Sequence, residues 1–145
     1  MLPMSARFGV VLLLVGIATA QSPASEKDWE LLRSVSNPSG GTVDFVIIPL
    51  AKQRDREHYK EVADVVCGAR TTCMVNFWTD RTHIPTRNDG WIATTDLAVM
   101  TASYERSPTY EKPVLNLACW LYASKALGES EKCAYYPGAK KPPDK

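Results

Sequence analysis

The chain has 145 residues, with 17 Lys and Arg against 16 Asp and Glu, a formal net charge of +1, and 45% apolar residues. That length suits a single domain, and the apolar fraction excludes a disordered chain. The near balance of charge leaves no overall basic field, so a nucleic-acid partner is not expected.

In chain order, the first feature is Arg7 followed by an apolar run from Phe8 to Ile17 and then Ala18-Thr19-Ala20. One positive charge, a short apolar core and small residues before a break have the form of a secretory signal peptide over residues 1–20. The run is shorter than the roughly 18–20 residues that span a hydrocarbon core as a helix, so no membrane span is expected after cleavage. Export to the periplasm or the exterior follows, with a mature chain starting at Gln21. Residues 21–41 read as a flexible N-terminal segment. Within it, Asp28 to Leu32 offers at most one helical turn, and Asn37-Pro38-Ser39-Gly40-Gly41 is a turn signal.

The α/β domain is expected over residues 42–136. Thr42 to Ile48 is a β-branched run ended by Pro49. Its consecutive apolar residues predict an interior strand covered on both faces, in which Asp44 needs a partner. From Arg54 to Cys67 the apolar residues Tyr59, Val62, Ala63 and Val66 recur at helical spacing. Asp55 and Glu57 suit the first turn of that helix and Gly68 suits its end, while His58 flanks the stripe. Thr72 to Thr79 reads as a second strand, so strand, helix and strand form a crossover unit with parallel strands. A polar loop runs from Asp80 to Gly90. Thr95-Asp96 then offers an N-cap for a second helix carrying Leu97, Met100 and Tyr104 and ending near Arg106. Val114 to Tyr122 alternates as a third strand, Gly128 to Lys132 reads as a turn, and 137–145 is a polar tail.

Export gives the four cysteines their meaning, because an even count outside the reducing cytoplasm implies disulfides. Cys67, Cys73, Cys119 and Cys133 allow three pairings, of which spacing favours Cys67–Cys73 and Cys119–Cys133. No metal site is expected, since Cys-x-x-Cys is absent and His58 and His83 are the two histidines. The fold class is therefore α/β, with α+β the alternative: a small mixed sheet of three or four strands, two helices and two local disulfides.

Val62-Ala63-Asp64-Val65-Val66-Cys67, Cys73 through Arg81, Pro85, Tyr104 and Leu117-Ala118-Cys119-Trp120 together resemble a group of small exported bacterial proteins of unknown function. The resemblance spans roughly Val43 to Cys133. It implies export, the strand–helix–strand order and the cysteine pairs, and it brings no activity with it.

Ligands of open parallel sheets sit beyond the carboxyl ends of the strands. Here those ends lead into Leu50 to Arg56 and Asp80 to Asp89. Asp80 and His83 are the catalytic candidates, as an acid–base pair, with Arg81 as an anion clamp and Lys52 or Arg54 beside it. The plainer reading makes Asp80 a loop cap paired with Arg81, and His83 a solvated residue. No Gly-x-Ser-x-Gly elbow occurs, and Gly40-Gly41 precedes a strand instead of opening a helix, so neither a serine hydrolase nor a phosphate-binding cofactor is called for. Of the four tryptophans, Trp78 and Trp120 suit one core layer if their strands are neighbours, and Trp91, beside Asp89-Gly90, suits an exposed binding anchor. The expected function is a non-catalytic binding or protein-interaction module of the bacterial envelope, with an envelope protein as partner. The alternative is a small hydrolase or transferase using the Asp80–Arg81–His83 loop.

Overall fold

A computed structural model describes residues 27–38, 40–122 and 131–134. The expected signal peptide and the polar tail lie outside the described residues. Six strands form one mixed sheet in the order of the chain: β1 (Glu30–Ser36), β2 (Thr42–Ile47), β3 (Cys73–Trp78), β4 (Ala102–Arg106), β5 (Val114–Ala118) and β6 (Glu131–Ala134). The β2–β3 and β5–β6 pairs are parallel and the other three are antiparallel.

The expected crossover unit is present, with helix α1 (Arg56–Cys67) between the parallel strands β2 and β3. Asp55 caps α1 by accepting the His58 N–H at 3.1 Å. Gly68 ends it in the left-handed region at φ 53°, where a side chain would be strained, and donates its N–H to the Asp64 carbonyl at 2.9 Å. Both expected disulfides are formed. Cys67–Cys73 ties the end of α1 to the start of β3, and Cys119–Cys133 ties the chain after β5 to β6.

The sheet is larger than expected: six strands, not three or four. Three strands account for the difference. Glu30–Ser36, inside the stretch read as flexible, pairs with β2 as an edge strand with a register shift between Leu31 and Arg33. Its apolar residues are few because an edge strand facing solvent buries little, and this weakens the sequence signal. Ala102–Arg106 is β4, where the expected second helix would have continued. That helix shrinks to α2 (Thr94–Leu97). Leu97, Met100 and Tyr104 do recur at helical spacing, but Ala102 and Tyr104 alternate with Ser103 and Glu105, and the strand between β3 and β5 satisfies that alternation. Glu131–Ala134, placed partly in a turn by its charge, is β6. Among the described residues no helix is long and apolar enough to cross a membrane.

Alternation along β2 and β3 sends neighbouring residues to opposite faces of the sheet, and both faces are packed. On one face Val46, Val75, Phe77, Ala102, Leu115 and Leu117 meet Tyr59, Val62 and Ala63 of α1. Tyr59 and Phe77 pack edge to face at 5.0 Å. On the other face Phe45, Trp78 and Met100 form a second core, capped by Ile84, Ile92, Leu97 and Val99 of the connection between β3 and β4. The interior strand covered on both sides, expected from Phe45-Val46-Ile47-Ile48, is thus explained. Asp44 is fully buried and finds its partner in Arg70, whose guanidinium lies 2.9 Å away, with Ser34 and Thr42 hydroxyls also donating to the carboxylate. Arg70 also donates to the carbonyls of Val66 and Cys67, so one side chain neutralises the buried acid and ties down the end of α1. Trp78 and Trp120 do not share a layer. Trp78 is in the second core, whereas Trp120 packs against the cluster on the α1 side.

Candidate functional site

The loop after β3 begins with a 3-10 turn over Arg81–His83, which Asp80 caps by accepting the Thr82 N–H at 2.9 Å and its hydroxyl at 2.8 Å. Those two bonds, the backbone one foremost, hold the Asp80 carboxyl below its ordinary pKa and commit it to the turn. Arg81 reaches back to Glu30 at the start of β1. His83 turns away from Asp80 and places Nδ1 3.3 Å from Oδ1 of Asp96 in α2. The three candidates therefore point at three different partners, and the expected Asp80–His83 pair is replaced by His83–Asp96.

Lys52 and Arg54 do not join them. Lys52 Nζ bonds Asp55 at 3.0 Å, which raises the lysine pKa and lowers that of Asp55. Arg54 is exposed just ahead of α1. The carboxyl ends of β2 and β3 do border an open crevice of about 370 Å³. Its walls are Trp29, Ile47, Pro49, Leu50 and Thr79, with Asp28 at its rim, so none of the five candidates lines it. His58, buried at the side of α1, puts Nε2 3.7 Å from that Asp28.

The better-organised surface lies further along the loop, over the second core. The loop is pinned from below by Trp78, whose Nε1–H donates to the Asp96 carbonyl at 2.9 Å. It is pinned from the side by Arg33 of β1, which donates to the Pro85 carbonyl at 2.9 Å and to the Asn88 side chain. Asp89 then binds Arg87 through both carboxylate oxygens and accepts the Trp91 N–H at 3.1 Å. The Arg87 bond is the main reason the Asp89 pKa falls to about 2, so this clamp stays ionised until pH drops through that value. The Arg87 guanidinium sits 5.3 Å from the Trp91 ring centroid, within cation–π range.

Trp91 is 57% exposed on this clamped loop. A cavity of about 190 Å³ opens beside it, lined by Pro85, Thr86, Arg87, Trp91, Ala93 and Asp96. Arg87, Asp89 and Asp96 are the residues that sequence reasoning passed over. Arg87 and Asp89 had a local signal, two opposite charges flanking one residue beside a glycine. Asp96 had none, because its place in the cavity depends on how the loop folds back over Trp78. Among the described residues, no group of three or more His, Cys, Asp or Glu is placed to hold a metal ion.

Fold and site together define a small mixed α/β protein with two disulfides and a pinned loop presenting an exposed tryptophan. Neither a family model, nor a curated protein, nor a solved structure matches the chain.

Proposed function

We propose that this protein is an exported, non-catalytic binding or interaction module of the bacterial envelope, acting in the periplasm or after secretion, with the loop around Trp91 as its contact surface. Two disulfides in a chain this small favour an oxidising compartment. The apolar run before Ala20 supports the same reading. The observation that carries the binding role is Trp91, a large aromatic left 57% exposed while the loop beneath it is fastened by Arg33, Asp89 and Trp78. A rigid, half-exposed tryptophan loses little conformational freedom on binding, and this is why such residues anchor interfaces. The test is affinity capture from an envelope fraction with wild-type and Trp91→Ala bait. Retention of a defined envelope protein by the wild type and its loss with Trp91→Ala is the expected result. Equal retention by both baits removes Trp91 from the function.

A second reading, a small hydrolase or transferase, draws on the His83–Asp96 contact, since a carboxylate beside an imidazole can orient it as a base. Asp80 stands outside that pair. Under this reading His83→Ala abolishes turnover of a substrate while the far-UV spectrum is unchanged, and Asp80→Ala does not.

A further inference from the structure

We infer that the cavity beside Trp91 receives a basic side chain from the partner polypeptide, its charge met by Asp96 and its stem lying along Trp91, Pro85 and Ala93. The inference rests on the binding role proposed for this loop and specifies the chemistry of what is bound.

Three observations carry it. The first is charge. Two side chains on the cavity wall are charged, Arg87 and Asp96. Arg87 is already matched, because Asp89 takes its Nε–H and an Nη2–H. Asp96 has only the Oδ1 contact to His83 Nδ1, so Oδ2 has no partner among the described residues although the side chain is just 22% exposed. A carboxylate so placed gains from a second, cationic donor. The second observation is shape and polarity. Besides Arg87 and Asp96, the cavity is walled by the Trp91 indole, the Pro85 ring, the Ala93 methyl group and Thr86. Lysine and arginine carry the complementary arrangement, an apolar stem ending in a charged head. The third is size. About 190 Å³ is well below the roughly 300–1,000 Å³ of sites that enclose a whole small ligand, and it suits one inserted side chain. The pinning of the loop by Trp78 and Arg33 means the cavity exists before the partner arrives.

The experiment is an NMR titration of the purified full chain with two capped peptides, acetyl-Gly-Lys-Gly-amide and its norleucine counterpart, which has the same stem without the ammonium. The lysine peptide is expected to shift the Trp91 indole N–H and the backbone of 85–96, with the norleucine peptide at least tenfold weaker. Asp96→Asn keeps the backbone carbonyl that holds Trp78 and should bring the lysine peptide down to the norleucine level. Trp91→Ala should weaken both peptides. Equal binding of the two peptides, or full lysine binding by a folded Asp96→Asn protein, overturns the inference. If neither peptide binds while Trp91→Ala still abolishes capture of an envelope protein, the basic side chain is wrong and the binding role stands. If capture is also indifferent to Trp91, both fall together.

Discussion

On one side of the sheet a twelve-residue helix lays Tyr59, Val62 and Ala63 across β3 and β4, an apolar seam with Tyr104 and Arg106 of β4 bonding Asp64 at its margin. On the other side the cover is a connection, residues 79–101, containing one 3-10 turn and a four-residue helix. It is held by Ile84, Ile92 and Leu97 against Phe45 and Trp78, and also by polar ties from Arg33, Trp78 and Thr101. A helix satisfies its own backbone and so needs only an apolar stripe to dock. A loop leaves its backbone groups to be paired one by one, and each pairing fixes where a neighbouring side chain must stand. The helical side is therefore built for stability, whereas the loop side can be stable and also present polar and aromatic groups outward. This is why Trp91, Arg87 and Asp96 collect there.

The contrast can be broken or sharpened by substitution. The largest losses should come from the two cores. Phe77→Ala on the helical side and Trp78→Ala on the loop side should each cost about 3–5 kcal/mol in urea unfolding, as both side chains are fully buried. A Trp78→Ala loss below about 1 kcal/mol would show that the loop merely drapes over the sheet. Arg70→Ala comes next, at about 2–3 kcal/mol, because it strands the buried Asp44 carboxylate with only the hydroxyls of Ser34 and Thr42 as partners. Replacing Cys67 and Cys73 together by serine should cost about 2 kcal/mol from the short loop they close, seen as a thermal midpoint below that of the oxidised wild type, which falls further when reductant opens the remaining Cys119–Cys133. Smallest is Trp91→Ala, expected to stay within about 0.5 kcal/mol of wild type while abolishing partner capture. A large stability loss there would place Trp91 in the structural cover and sink the functional division between the two sides.

How far the site was legible follows the same division. Tyr59, Val62, Ala63 and Val66 declare a helix through their spacing, and the cysteine at each end of a short αβ loop declares its partner. Trp91 beside Asp89-Gly90 could be read as exposed because a turn signal precedes it and no apolar periodicity claims it. By contrast, Asp80, Arg81 and His83 lie within four residues of one another yet have separate partners. Arg81 meets a residue 51 positions away and His83 one 13 positions away. Adjacency in sequence promised a cluster that the 3-10 turn then splayed apart.

What the amino-acid sequence determined by itself is the β2–α1–β3 unit and its staple, since strand run, helical stripe, left-handed glycine and cysteine spacing are local properties that short-range sterics and burial translate directly. The tertiary structure alone decided that Glu30–Ser36 and Ala102–Arg106 become strands, and that Asp96 faces a cavity beside Trp91. β1 depends on β2, across the Asn37–Gly41 turn, to give its weakly apolar run a paired edge, β4 depends on lying between β3 and β5, and Asp96 depends on how the connection folds back over Trp78. The free energy of such pairing belongs to the assembled neighbours, and no window of adjacent residues contains it.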